Sequence, residues 1–418
     1  MSQAEPRALQ VARTAAIGVA ICAVLSPPLA NLAAAILLIA FFRVPDWRAR
    51  LCRFTASVLG KGVMVYATAL VLAAVVGFFN PQSIGDVLLH LFGWRTLLLT
   101  TLAFAVFDSA LWKTQLAVAF VTFVSFAAIV SLVCWLIGWE YRDLGPGVVL
   151  RNTVTQAMAF GIGAFLAAVL LVTRQVTSTR GRVLLVLALL LLLAQLVFLQ
   201  TGRSGQLLAA VLFIVGAALL LRGPRRVVAV AAVPVLALVA FSISPIMQAR
   251  FLTAWQELGN AANATEYTSM GMRVVMWKNT AQLIRARPLL GYGLGGLKPA
   301  YEAYIKDRAT GWKAIVTGDP HSQYLAAWVE GGLLGLLAFL FMLVSAVRQP
   351  APEPWRTVAL ALLAAWCATS AVSSHFQTFN EGHLIAVLLG VFLAPAGAPD
   401  AAAQPAPSAA ATAAATSS

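Results

Sequence analysis

Three short stretches hold the residues equipped for chemistry, and each sits at the edge of an apolar run. The first is DPHSQYLAAWVEGGLLGLL, Asp319 to Leu337, where His321 and Ser322 lead into a long apolar segment carrying Glu330, Gly331, Gly332 and Gly335. The second is TGRSG, Thr201 to Gly205, a very tight turn between two apolar segments that holds Arg203 and Ser204. The third is MGMRVVMWKNTAQLIRARP, Met270 to Pro288, an amphipathic pattern with Arg273 and Trp277 that a proline stops. A guanidinium presents a planar fork that pairs with two phosphate oxygens and keeps its charge at working pH. An imidazole, with an ordinary pKa of about 6.5, can take the proton of a hydroxyl attacking a sugar carbon. Two arginines and a histidine converging on one face of a membrane therefore suit an anionic, lipid-linked substrate. A diphosphate leaving group needs its developing charge neutralised, by a divalent metal or by arginines. With only 15 acidic residues and no Asp-x-Asp motif, the arginine route is the expectation, with no metal site and no cofactor.

The elements that must position these residues are membrane helices. Of 418 residues 61% are hydrophobic and 11% charged, and the mean hydropathy is +0.85. Soluble domains carry about 25% charged residues, so the chain reads as an all-α, polytopic membrane protein. The net charge of +14 would suggest nucleic acid in a soluble protein. Here most Lys and Arg fall in short loops between apolar runs, as membrane topology demands, and no nucleic-acid module is recognisable. Cys22, Cys52, Cys134 and Cys367 are scattered with no CxxC spacing, which excludes a disulfide framework and a zinc site. Apolar segments run at 14–25, 29–42, 57–79, 95–107, 114–138, 151–173, 183–200, 205–221, 227–243, 323–347, 357–373 and 382–394. That gives about twelve spans, of which 95–107 and 382–394 are short for the roughly 17–25 residues a crossing needs.

The basic clusters fix an orientation. With a cytoplasmic N-terminus, loops 43–56, 108–113, 174–182, 222–226 and 348–356 hold most of the arginines, and the short loops opposite are poor in cations. The positive-inside rule expects that alternation. Both termini are then cytoplasmic and the three reactive stretches lie outside. The organisation follows: residues 1–243 as nine transmembrane helices, 244–322 as one long helical outer loop, 323–394 as three more helices. The Ala/Pro/Ser tail at 395–418 is expected to be disordered.

Each stretch also has a plainer explanation. Arg203 could snorkel to headgroups, and the helix at 270–288 could merely lie on the membrane. That helix places Arg273, Trp277 and Thr280 on one face and Met272, Met276 and Leu283 on another. GYGLGG, Gly291 to Gly296, is neither a Walker loop nor a Rossmann turn, and reads as a glycine-rich hinge or backbone-lined wall. Helical spacing puts Leu325, Trp328 and Gly332 below His321, and makes Gly331 and Gly335 a GxxxG pair open to a neighbouring helix. Glu330, ionisable within a membrane segment, is a site candidate without a readable partner. SSHFQTFNEGH, with His375, Glu381 and His383, reads as an interfacial anchor.

The stretch from His321 resembles the signature of the O-antigen ligase family: His, then Asn/Ser/Gln, nine residues, Gly, two residues, then Gly/Thr/Tyr, matched by His321, Ser322, Gly332 and Gly335. The turn with Arg203, the loop helix with Arg273, the glycine run and some twelve spans with one late outer loop are similar to that family too. The resemblance implies a GT-C-type, metal-independent, inverting transferase in the bacterial inner membrane. It would move a glycan from undecaprenyl diphosphate to a sugar hydroxyl of lipid A–core on the periplasmic face. It implies that Arg203 and Arg273 hold the diphosphate, that His321 is the general base or orients the acceptor, and that Ser204, Trp277, Ser322, Glu330, Gly332 and Gly335 support them. Protein O-oligosaccharyltransferases and O-antigen polymerases are sister readings. A flippase of lipid-linked glycans is the rival from another class, although no internal repeat or midplane charge pair points to one.

Overall fold

Each of the twelve apolar segments folds as a helix. The computed structural model describes residues 5–395 apart from 81, 142–143 and 261–266, and among these residues there is no strand. The Ala/Pro/Ser tail from 396 lies outside the described residues. The first half of the chain holds α1 (Arg7–Leu25), α2 (Pro27–Phe42), α3 (Trp47–Ala56), α4 (Val58–Phe78), α5 (Ile84–Gly93) and α6 (Thr96–Val106). It continues with α7 (Ala110–Leu136), α8 (Thr153–Val172), α9 (Thr179–Phe198), α10 (Arg203–Leu220) and α11 (Gly223–Ile243). The region 244–322 forms α12 (Pro245–Asn260), α13 (Ser269–Ala286), α14 (Leu297–Ile305) and a 3₁₀ turn at Gly311–Ala314. The chain then returns through α15 (Gln323–Arg348), α16 (Trp355–Thr369) and α17 (Phe379–Leu393). Local signals set many starts: the side chains of Ser57, Ser83, Asn152, Ser178 and Thr268 each accept the N–H of the third residue on.

Helix length narrows the candidate spans. Among the described residues nine helical segments are long and apolar enough to cross a membrane, ten if the bent pair α2–α3, angled at 107°, is one span. The short segment at 95–107 is extended by α5, so that Ile84–Val106 makes one 23-residue apolar stretch. α16 and α17 have 15 residues each. At 1.5 Å per residue that is about 22 Å, short of a hydrocarbon core of about 30 Å. Hydropathy alone does not separate these two from the longer helices, because their residues are as apolar; most of α16 and nearly all of α17 is buried in the bundle. α8 is the central helix, 83% of its apolar window being inside the protein. α11 is its opposite, apolar yet with no buried residue, as a lipid-facing helix must be.

Hydrogen bonds mark the two ends of the bundle. At one end Arg13 of α1 pairs with Glu5 and Asp108 and donates to the Val106 carbonyl at 2.6 Å. Arg50 reaches the same Asp108 at 2.8 Å, and Gln349 accepts the Leu59 N–H at 3.0 Å. At the other end the N–H of Gln323 donates to the Ser370 carbonyl at 2.9 Å, and the Asn380 amide to the Ala23 carbonyl at 2.8 Å. The three reactive stretches lie at this second end.

α15 is broken rather than continuous. Gly332 has φ 63° and ψ −166°, a conformation essentially reserved for glycine. The break frees backbone groups that lipid cannot satisfy, and the glycine run supplies their partners. Tyr292 N–H donates to the Val329 carbonyl at 2.8 Å, Gly293 N–H to the Glu330 carbonyl at 2.9 Å, and Leu333 N–H to the Pro288 carbonyl at 2.9 Å. Gly291, Gly293 and Gly295 all have positive φ, and a Cβ on Gly293 would lie 2.3 Å from the Gly77 nitrogen of α4. GYGLGG is therefore the patch over a helix break. The expected GxxxG contact is corrected by the same geometry: a Cβ at Gly331 would meet nothing within 4 Å, and one at Gly335 only the Ala327 carbonyl of α15 itself.

Candidate functional site

Arg203 is the first residue of α10. The glycines beside it bring the helix onto α8: a Cβ at Gly205 would sit 2.4 Å from the Ala157 Cβ, and one at Gly202 would sit 2.8 Å from the Thr153 carbonyl. They close the turn against α8 rather than open it to a ligand. The Arg203 side chain and neighbouring Ser204 are half-buried.

Arg273 comes from the first turns of α13, whose start is fixed by Thr268 accepting the Gly271 N–H at 3.0 Å. α13 does not lie free on a membrane. Met272, Met276, Leu283 and Ile284 form a small core with Leu297, Tyr301 and Ile305 of the α14 region and Val329 of α15. Thr280, expected beside Arg273 and Trp277, is buried with the methionines instead, so the face assignment is corrected there. A helix packed on one side buries a wider stripe than three positions suggest. Arg273 is held below the usual arginine range first by burial and then by the guanidinium of Arg203, while Glu257, Asp319 and Tyr267 act in the opposite sense. The two arginines are thus neighbours. Among the described residues neither has a hydrogen-bond or ion-pair partner.

His321 precedes α15 with φ 51°, a left-handed residue without the glycine that usually takes that conformation. This corrects the expected line of His321, Leu325, Trp328 and Gly332, since a residue outside the helix shares no helical face. Asp319 makes the turn: its Oδ1 accepts the His321 N–H at 2.8 Å and the Ser374 hydroxyl at 2.6 Å. Its Oδ2 lies 3.9 Å from His321 Nδ1. The Trp277 indole donates to the His321 carbonyl at 3.4 Å, tying α13 to the histidine. Ser322 caps α15 in position only, being buried without a side-chain capping bond. The imidazole remains 39% exposed, so a reactant can reach it.

SSHFQTFNEGH is corrected from an interfacial anchor to an inner wall of this site. His375, Glu381 and His383 are all buried. Glu381 accepts the Thr155 hydroxyl at 2.6 Å, and the His383 ring stacks on Phe379 at 4.0 Å. Both ring nitrogens of His375 are buried with no partner. Burial pushes the His375 imidazole below its ordinary 6.5; Glu381 and Asp319 oppose the shift, and Arg273 and His321 add to it. Glu330 also gains its partners, the Gly295 N–H at 3.3 Å and the Gln377 amide at 3.5 Å.

The structure therefore brings Arg203, Arg273, His321 and Trp277 together, and adds Asp319 and Ser374, which the sequence pattern had not singled out, and His375, which it had read as part of an anchor. Asp319 had one readable signal: an aspartate two residues before a histidine can accept its backbone N–H. Ser374 and His375 reach the site only through the fold. Chemically, two guanidiniums without a hydrogen-bond or ion-pair partner among the described residues can hold an anion, and an imidazole whose Nδ1 lies 3.9 Å from a carboxylate can accept a proton.

Membrane-length helices with a polar cluster at one end define an integral membrane protein with a site at that end. Residues 187–340 match the family described as O-antigen ligase. Arg203, Arg273, His321 and Glu330 all fall within the matched region. The chain is also 30% identical over 80 residues to a Haemophilus influenzae protein described as an uncharacterized protein. The match covers 19% of this chain and 20% of that relative, a fifth of its length.

Proposed function

We propose that the chain is an O-antigen ligase: it transfers a glycan from undecaprenyl diphosphate to a sugar hydroxyl of lipid A–core, at the periplasmic face of the bacterial inner membrane. The observation that carries this reading is the pair Arg203 and Arg273, close enough to act on one another and without a hydrogen-bond or ion-pair partner among the described residues, with Trp277 of the Arg273 helix bonded to the His321 carbonyl. Like charges brought together without an ion-pair partner favour an anionic ligand, and two forks suit a diphosphate.

In the reaction the acceptor oxygen attacks C1 of the donor sugar as the bond from C1 to the diphosphate oxygen breaks, inverting C1. The electron pair leaves with undecaprenyl diphosphate, whose added charge falls to the two arginines. The hydroxyl proton passes to His321 through Nε2, because Nδ1 faces Asp319. Asp319 orients the ring and stabilises the imidazolium, the part a carboxylate plays behind a catalytic histidine elsewhere. Trp277 holds the backbone of His321, and lipid tails of donor and acceptor lie between the helices.

The test is transfer by purified protein, offering undecaprenyl-diphosphate glycan with lipid A–core, with a pilin-like protein, or with a second donor molecule, each with and without EDTA. Transfer to lipid A–core insensitive to EDTA is expected. Transfer only to protein, or only donor-to-donor elongation, would move the chain to a protein O-oligosaccharyltransferase or a polymerase. A donor that crosses the membrane chemically unchanged would mark a flippase. His321→Ala should abolish transfer by folded protein; near-normal transfer would remove the general-base role.

A further inference from the structure

A recess of about 290 Å³ opens beside Asp319, close to the lower end of the ~300–1,000 Å³ typical of small-ligand sites. Its polar lining includes Asp319, Glu330, Ser374, Gln377 and His90, with Trp94 as its aromatic wall. No arginine or lysine is among the described residues that line it. Asp319 belongs to both places: it lines the recess and it holds His321.

Glu330 is the informative member. It lies in a membrane-length helix, 5% exposed, yet its two hydrogen bonds are long, 3.3 Å from Gly295 N–H and 3.5 Å from Gln377. A carboxylate has about four acceptor sites, so about half of this one's capacity is left for a ligand. The chain breaks α15 two residues later and covers the break with the glycine run, and Gly295 of that run donates to Glu330. An ionisable group kept in such a segment serves a ligand or a pathway far more often than packing.

We propose that this recess is the acceptor subsite and that it takes an uncharged sugar ring, with Glu330 and Gln377 fixing ring hydroxyls and Trp94 against the ring's apolar face. The inference rests on the glycosyl-transfer reading above. Carboxylates accept from hydroxyls, an amide both donates and accepts, and an aromatic wall packs on the C–H face of a sugar. The Trp94 ring is packed edge-on against Tyr66 at 4.9 Å. A phosphorylated sugar would meet two acidic side chains, with no arginine or lysine among the described residues lining the recess to pair with its phosphate, so charge sorts the two substrates: diphosphate to the arginines, neutral sugar to the recess. An attacking hydroxyl at the Asp319 edge would lie beside His321.

The experiment is steady-state transfer to lipid A–core oligosaccharides that differ only in a phosphate on the terminal sugar. It uses folded wild type, Glu330→Gln and Ala326→Leu, the last narrowing the recess without touching a charged group. Glu330→Gln should raise the acceptor KM by about tenfold or more, the loss of a hydrogen bond to a charged group, with donor KM and kcat within about twofold. It should also narrow the preference for the unphosphorylated acceptor, because one repelling charge is gone. Ala326→Leu should raise acceptor KM alone, and it carries the test if Glu330→Gln does not fold. Acceptor KM unchanged in the folded variants, or donor KM rising in step with it, would overturn the subsite while leaving the ligase reading intact. Absence of transfer by folded wild type would overturn that reading and this one together.

Discussion

Adjacent glycines in α15 give the sharpest test of how the site is built. Gly331 and Gly332 differ by one position, and both look alike in the sequence. Gly332 sits at φ 63° and ψ −166°, and a Cβ there would lie 2.0 Å from the Leu289 carbonyl oxygen and 2.4 Å from its carbon. The backbone strain alone costs about 1–3 kcal/mol. The obstacle is backbone, so the glycine run must shift and weaken the bonds from Tyr292, Gly293 and Leu333, at about 1 kcal/mol for each bond lost. Gly332→Ala should therefore destabilise the protein by about 2–5 kcal/mol. At Gly331 an added methyl meets nothing within 4 Å. Gly331→Ala should be neutral or gain up to about 1 kcal/mol from helix propensity. Reversible unfolding in mixed micelles measures both, each variant serving as the other's control. Equal stability of the two variants would refute the account of a broken helix patched by GYGLGG, and with it the placement of Glu330.

Three further outcomes follow from the site's geometry. Arg203→Lys and Arg273→Lys should each lose most transfer activity and raise the donor KM, since an ammonium has no bidentate fork; either variant retaining wild-type donor KM would count against diphosphate clamping at that position. Asp319→Asn should slow transfer by about 10²-fold or more while the protein stays folded, because the imidazolium loses its counter-charge and its orientation; a kcat within twofold of wild type would show that the 3.9 Å approach to His321 does no chemistry. His375 binds a proton less readily in the folded protein than at its ordinary 6.5. Below about pH 6.5 the unfolded chain therefore takes up a proton that the folded site refuses, so stability is full above that pH and falls as pH drops through the window beneath it. His375→Asn should flatten that part of the stability profile measured by unfolding, and a profile identical to wild type would remove His375 as its source.

The sequence made the helices legible and left their depth obscure. Apolar runs mark where backbone must hydrogen-bond to itself, so all twelve appeared as helices. Whether such a helix crosses the bilayer or ends inside the protein depends on its neighbours, and α16 and α17 are as apolar as true spans. Arg203, Arg273 and His321 were readable because charge is scarce in this chain and its position against an apolar run is conspicuous. His375 and Glu381 were not read as site residues: their stretch is polar, and only the fold turns it inward, with Glu381 of α17 bonded to Thr155 and His375 within reach of the Arg273 charge. The glycines misled for a different reason. Spacing suggested a helix-pairing motif at Gly331 and Gly335, whereas φ and Cβ space decide what a glycine does, and neither is written in spacing.

The choice of arginine over lysine explains how such a site can exist between turnovers. Arg273 is half-buried and faces a second guanidinium, two effects that both disfavour its charge. A lysine in that position would relieve the cost by releasing its proton, since burial shifts an ammonium readily. Arginine starts so far above working pH that the same shift leaves it charged. The repulsion is then stored in the folded protein instead of being discharged by titration, and only an anion can relieve it. Glu257 and Asp319 ease it, at a distance that leaves both guanidinium forks free among the described residues. A permanently cationic pair, a titratable histidine and a cation-poor recess beside Asp319 form an ordered gradient of charge. On the proposed reading that gradient assigns leaving group, proton and acceptor to separate places before either substrate arrives.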